Sequence, residues 1–137
     1  MRPTARGAVL AFGMLTAGMA GAQTPQDLQR GYEAAARAEA PGFSGFSAQR
    51  GEAFFQSTHG GDWSCSTCHT RDPLAPGKHT VTGKNISPLA PAANPGRFVD
   101  AAKVEKWFRR NCSDVLRRDC TAVEKGDVLT YLTSLRK

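Results

Sequence analysis

The residues Cys65-Ser66-Thr67-Cys68-His69 constrain this chain more than any other part of its sequence. Two thiols three positions apart, followed at once by an imidazole, form the attachment pattern for a c-type haem. Cys65 and Cys68 can form two thioether bonds to the macrocycle, and His69 is then held where it can bind the iron. The motif therefore predicts a domain built around one covalently attached haem c.

Two other readings of the cysteines stay open at this point. A thioredoxin-like dithiol belongs to a βαβ context, which the surrounding sequence does not suggest. A structural zinc site normally needs a second close pair of ligands, and the remaining cysteines, Cys112 and Cys120, have no histidine between them. Haem attachment is favoured over both.

Residues 1–22 are predicted to be a secretory signal peptide that is cleaved after Ala22. Arg2 and Arg6 precede an apolar run, residues 8–19, that is too short to span a bilayer, and small residues follow it. A retained membrane anchor is the less favoured alternative, because the run is rich in Gly and Ala. The prediction is an exported, periplasmic, soluble protein whose single domain spans residues 23–137.

Composition argues against one class of partner. The formal net charge is +6, but the basic residues are not interleaved with aromatic residues along a groove-like segment, as nucleic-acid binding would require. Nucleic acid is therefore not expected as a partner.

Helical patterns lie toward the two ends of the domain, and an irregular stretch lies between them. Ser47 is a predicted N-cap, and Thr121-Ala122-Val123-Glu124 fits a capping box. The predicted elements are helices over residues 26–39, 48–57 and 100–110, a proline-rich loop over 71–96, and a last helix that follows Thr121.

The helix over residues 100–110 carries a stripe of four residues at helical spacing, Val104, Trp107, Phe108 and Asn111. Trp107 and Phe108 are candidates for packing against the haem, and ordinary core packing is an equal alternative for both. Asn111 is a candidate iron ligand, and a helix C-cap is the alternative role.

The usual sixth ligand of an electron-carrying cytochrome c, methionine, is absent from residues 23–137, because the three methionines all fall in the predicted leader. A second histidine, His59 or His79, is one alternative, although exposed loop positions are the simpler reading of both. A vacant coordination position is the other alternative.

Cys112 and Cys120 remain after the haem has taken its pair. In an oxidising compartment a disulfide between them is the favoured outcome, and two free thiols are the alternative.

Much of the sequence resembles the sphaeroides haem protein (SHP) family of monohaem cytochromes c. The matching strings are Gly31-Tyr32-Glu33-Ala34-Ala35-Ala36, Ser64 to His69, Thr82-Gly83-Lys84 with Ile86, Pro88-Leu89-Ala90-Pro91, Arg97-Phe98, Asp100, Val104-Glu105-Lys106-Trp107, Asn111-Cys112 and Arg118-Asp119-Cys120-Thr121. The resemblance implies that Asn111 binds the ferric iron and that Cys112 pairs with Cys120. It also implies a dihaem cytochrome c and a membrane cytochrome b as electron donors.

The fold expected from these observations is all-α and class I cytochrome c-like, with the helix of Gly51 and Phe55 crossing the helix of Tyr131 and Leu132. An amide oxygen is a weak donor that suits ferric iron better than ferrous. The expected function is therefore to accept one electron, lose Asn111 and bind O2 or NO. Reduction of the bound gas, as in an oxygen or NO reductase, is an extension of this function. A plain electron-transfer cytochrome and a gas sensor or buffer without turnover are the alternatives.

Overall fold

The computed structural model describes residues 23–137, so the predicted signal peptide lies outside the described residues. The elements are α1 (Pro25–Glu39), α2 (Ala48–Gln56), α3 (Cys65–His69), β1 (Gly77–Lys78), β2 (Asn85–Ile86), α4 (Ala101–Leu116) and α5 (Ala122–Ser134). Helices make up nearly all of this regular structure, which confirms the predicted all-α class. No helix in this range is long and apolar enough to cross a membrane.

Each helix of the described region begins with a side chain that caps it. The N-cap oxygen accepts a hydrogen bond from a backbone N–H of the first turn, which would otherwise lack a partner. These N-caps are Thr24, Ser47, Ser64, Asp100 and Thr121. The predicted caps at Ser47 and Thr121 are confirmed.

The core forms where α5 packs against α2 and α1. Phe55, Leu129 and Leu132 are almost completely buried there, and the Phe55 and Tyr131 rings lie 5.8 Å apart. Gly51 lets the α2 backbone approach α5, because a Cβ at this position would lie 2.0 Å from the carbonyl oxygen of Asp127. The predicted crossing of α2 and α5 is confirmed.

An ion pair reinforces the same crossing. The Arg50 Nε donates to Asp127 Oδ2 at 2.8 Å, and the Ser47 backbone N–H donates to Asp127 Oδ1 at 2.7 Å. The Asp127 side chain is only 6% exposed. Its charge is therefore compensated inside the fold, as a buried carboxylate requires.

Residues 71–96 are mostly irregular, as predicted, but they contain a short hairpin that the sequence did not indicate. β1 and β2 pair antiparallel, with Gly77 opposite Ile86 and Lys78 opposite Asn85. A Cβ on Gly77 would lie 2.1 Å from the Cys68 carbonyl oxygen. Glycine at this position lets the hairpin pack directly against α3.

The predicted end of α4 at Arg110 is wrong. The helix continues to Leu116, and Arg117 caps it in the left-handed conformation with a φ of 59°. Asn111 therefore lies within the helix, so its alternative reading as the C-cap is also wrong. The disulfide between Cys112 and Cys120 ties down the part of the helix that extends beyond Arg110.

Candidate functional site

The haem-attachment motif forms a helix of its own, α3. Ser64 caps it in a capping box with Thr67, so the chain enters the motif in a fixed direction. Cys65 and Cys68 lie one helical turn apart and thus share a face. Both are partly buried free thiols, and burial raises the pKa of Cys65 to about 11. The structure presents the two sulfurs as a pair, which is what two thioether bonds to one group need.

His69 is the last residue of α3, and its ring centroid lies 6.4 Å from that of Phe55. Burial lowers the pKa of His69 to about 4, and the positive charge of Arg97 adds to this effect. The imidazole is therefore neutral near pH 7 and keeps a nitrogen lone pair for a metal. A neutral imidazole beside two thiols matches the predicted haem ligand.

Asn111 lies in the last third of α4 and is half-buried. Within residues 23–137 its side-chain amide makes no hydrogen bond. The next residue, Cys112, is buried and forms a disulfide with Cys120, with the two Cα atoms 5.6 Å apart. His69 and Asn111 lie on separate helices, α3 and α4, and no hydrogen bond joins these two helices in the described region.

The two aromatic candidates have different surroundings. The Phe108 ring meets the Tyr32 ring edge to face at 6.0 Å and packs against the core, which favours the core-packing interpretation for Phe108. Trp107 is 46% exposed and lies one turn before Asn111, on the same side of α4. The guanidinium of Arg110 lies 5.3 Å from the Trp107 ring. Trp107 is therefore the more exposed of the two aromatic residues that share a face with Asn111.

The other two histidines, His59 and His79, are exposed loop residues. Each ring contacts residues close to it in the sequence. His59 Nε2 lies 2.9 Å from the Phe54 carbonyl oxygen, and the His59 ring packs on the Phe54 ring. His79 Nδ1 accepts the backbone N–H groups of Val81 at 3.2 Å and Thr82 at 3.3 Å. Both rings thus have a structural role that does not involve iron.

Arg97 is a residue beside the site that the sequence reasoning did not single out. Its guanidinium donates to the carbonyl oxygens of Ser87 at 2.7 Å and Pro88 at 3.0 Å. It makes no ion pair with a carboxylate in the described region, and its charge acts on His69. Hydrogen bonds to loop carbonyls leave no signal in a sequence.

The chemistry of these donors fits a haem c. Cys65 and Cys68 would hold the group, and the neutral His69 would bind one face of the iron. Within residues 23–137, no three His, Cys, Asp or Glu side chains come together as a separate metal site. The arrangement is a pair of thiols and one imidazole, not the four ligands of a structural zinc site.

Comparisons with known proteins agree with this chemistry. Residues 41–132 match a family described as a domain of unknown function, DUF1924. The cytochrome c-type protein SHP of Cereibacter sphaeroides is 49% identical over 120 residues, which cover 85% of this chain and 88% of that protein. Cytochrome c'' of Methylophilus methylotrophus is 43% identical over 83 residues, or 61% of this chain and 58% of that protein.

Solved structures show the same fold. A structure of oxidised SHP, an oxygen-binding cytochrome c, superposes with a TM-score of 0.74 at 47% identity and covers 84% of this chain and 100% of its own. The crystal structure of oxidised cytochrome c'' from Methylophilus methylotrophus gives 0.73 at 37% identity and covers 82% of this chain and 95% of its own. The cytochrome c-like fold is confirmed, and the chain belongs to the DUF1924 family and to the SHP family of c-type cytochromes.

Proposed function

We propose that this chain is an exported c-type cytochrome that accepts one electron and, once reduced, releases Asn111 and binds a diatomic gas, O2 or NO. The observation that carries the proposal is the position of Asn111, a half-buried residue within α4 whose side-chain amide forms no hydrogen bond within residues 23–137. A bound haem c would supply the redox change and the coordination position at which Asn111 and the gas compete.

The residues on α3 have a constant role in this proposal. Cys65 and Cys68 hold the cofactor covalently, and His69 binds the iron in both oxidation states. The low pKa of His69, about 4, keeps its nitrogen unprotonated over the neutral range. Only the ligand on α4 changes with oxidation state.

Asn111 is suited to a ligand role that depends on oxidation state. Its amide oxygen is a hard, neutral donor, so it should bind ferric iron better than ferrous. In the described part of the chain, no hydrogen bond holds this amide. After release, its NH2 group can donate a hydrogen bond to a bound gas molecule.

The relatives support both parts of the proposal. SHP is described as an oxygen-binding cytochrome c, and the solution structure of Methylophilus methylotrophus cytochrome c'' concerns the structural basis of haem-ligand detachment. Gas binding and ligand loss thus each have a precedent among proteins that share this fold.

We further propose that an acidic redox protein donates the electron, with a dihaem cytochrome c and a membrane cytochrome b as the donors that the family resemblance implies. The exposed cations of α4 and its C-cap outnumber the exposed acids, Asp100 and Asp114. These cations are Lys103, Lys106, Arg109, Arg110 and Arg117. We expect the reduction rate to fall as ionic strength rises, because salt screens such docking. A rate independent of salt would count against this surface.

The export proposal places the protein in the periplasm after cleavage following Ala22. This compartment would allow both the haem attachment and the Cys112–Cys120 disulfide. The mass of the purified protein, which should correspond to residues 23–137 plus one haem, tests the cleavage site.

Replacing Asn111 with Val tests the ligand directly. We expect the ferric Asn111→Val protein to show altered optical and EPR spectra and to bind imidazole at least about tenfold more tightly, because an intramolecular competitor has been removed. The ferrous protein should still bind O2 or NO. Asn85→Val makes the same substitution at an exposed site and should leave both spectra unchanged.

Two results would contradict the proposal. An unaltered ferric spectrum in Asn111→Val would show that Asn111 is not the ligand. His59→Ala and His79→Ala would then identify a histidine ligand by the same spectra. Ferrous spectra that neither gas changes would leave plain electron transfer as the function.

A further inference from the structure

The position of α4 depends on a small set of contacts with the rest of the fold. Val104 is buried, and Phe108 packs against Tyr32. The C-terminal end of the helix is tied by Cys112 to Cys120, just before α5. A polar attachment of α4 to α1 and α5 lies near the middle of the helix, at Glu105.

Glu105 joins three helices through its carboxylate. The Tyr32 hydroxyl of α1 donates to Oε1 at 2.5 Å, and the Lys125 ammonium of α5 donates to Oε2 at 2.7 Å. The Lys125 side chain is only 19% exposed, and its ammonium lies 5.8 Å from the centre of the Tyr32 ring. We call Tyr32, Glu105 and Lys125 the Glu105 clamp.

The positive charge of Lys125 compensates the negative charge of Glu105. Desolvation alone would raise the pKa of Glu105, but the hydrogen bonds from Lys125 and Tyr32 and the charges of Lys125 and Arg109 outweigh it, so the pKa lies below its ordinary value. The carboxylate is therefore ionised at neutral pH. Burial and the neighbouring Glu105 both raise the pKa of Tyr32, so its hydroxyl stays protonated and remains a donor.

The clamp acts close to Asn111 along a stiff element. Asn111 lies six positions after Glu105, which is about 9 Å along a helix. A tilt of α4 by about 6° at Glu105 would therefore move residue 111 by about 1 Å, a displacement large enough to weaken a coordinate bond. Asn111 thus lies between two attachments, the clamp and the bonded pair Cys112 and Cys120.

We propose that the Glu105 clamp is a positioning device that sets how strongly Asn111 competes for ferric iron. The inference rests on the proposed function, since it requires Asn111 to be a ligand. Glu105, Tyr32 and Lys125 do not touch the iron in this proposal. They act only through the position of α4.

The Kd for imidazole binding to the ferric holoprotein measures how strongly Asn111 competes for the iron, because imidazole must displace the Asn111 amide. Glu105→Gln keeps the shape of the side chain and removes its charge, so we expect the Kd for imidazole to fall about tenfold as charge-assisted bonds are lost. Tyr32→Phe removes a single hydroxyl, and we expect a smaller fall in the same direction. Far-UV circular dichroism establishes that each variant is folded.

Asp127→Asn provides the matched control. It breaks an ion pair between helices, Arg50–Asp127, whose carboxylate side chain is 6% exposed, compared with 40% for that of Glu105. This pair joins α2 to α5 and not to α4. We expect it to lower the melting temperature without changing the Kd for imidazole. An equal fall in Kd in this variant would overturn the proposal, because general loosening would then explain the effect.

A double-mutant cycle tests whether the Glu105 clamp acts through Asn111. In an Asn111→Val background, Glu105→Gln should have no further effect on the Kd, since there is no amide left to position. An additive effect would refute action through Asn111. If Asn111→Val changes the Kd and neither clamp variant does, the clamp proposal fails and the ligand proposal stands. If Asn111→Val changes nothing, both fail.

Discussion

Gly51→Ala should destabilise the fold at the crossing of α2 and α5. The added Cβ would lie 2.0 Å from the Asp127 carbonyl oxygen, whereas ordinary contact begins at 3.4 Å, so the two helices must separate by about 1.4 Å. Alanine gains about 1 kcal/mol over glycine within a helix. Overpacking costs about 1–3 kcal/mol, and the upper end applies because the nearest atoms belong to backbone that cannot rotate away. The net loss should be about 2 kcal/mol.

Thermal unfolding of the holoprotein, followed by circular dichroism at 222 nm, measures this loss. A domain of this size should melt about 8 °C lower, at about 4 °C per kcal/mol. Gly31→Ala is the matched control, because Gly31 lies inside α1 with no atom within 4 Å of the new Cβ, and it should raise the melting temperature. If Gly51→Ala were as stable as Gly31→Ala, the close approach of α2 to α5 would be refuted.

Two further predictions concern the bonded cysteines and acid stability. Replacing both Cys112 and Cys120 with Ser should lower the free energy of unfolding by about 2.5 kcal/mol, as closure of a short loop in the unfolded chain predicts; an unchanged urea midpoint would contradict this. The lowered pKa of Glu105 means that its stabilisation is present above its unfolded pKa and is lost as the pH falls through the folded value. The urea midpoint of Glu105→Gln should therefore fall less than that of the wild type on acidification.

Where a helix begins could be predicted from the sequence, because the capping signal is local. Ser47 and the Thr121 capping box mark the starts of α2 and α5 in the sequence and in the structure. The end of α4 could not be predicted, because nothing local requires a helix to continue through Asn111. A tertiary bond, the disulfide between Cys112 and Cys120, holds the extension of the helix beyond Arg110 in place where local propensity is weak.

The residues of the site also differ in whether a local sequence signal marks them. The attachment residues could be proposed from the sequence because haem attachment requires a fixed spacing. Asn111 could be proposed from its place on a helical stripe, from the lack of methionine in residues 23–137 and from the family resemblance. The Glu105 clamp could not be identified from the sequence, because Tyr32 and Lys125 lie 73 and 20 residues away from Glu105 along the chain. The β1–β2 hairpin was missed for another reason, since strands of two residues show no periodicity.

The placement of Asn111 within a continuous helix bears on how fast the proposed ligand exchange can be. Because α4 runs unbroken from Ala101 to Leu116, release of the amide requires only a side-chain rotation or a small tilt of the helix, not unfolding of a segment. Rotations of this kind are fast compared with local unfolding. The bonded Cys112 also keeps the backbone of Asn111 in place after release. The freed amide therefore stays next to the position that it left, where it can bond to an incoming gas molecule or rebind when the electron departs.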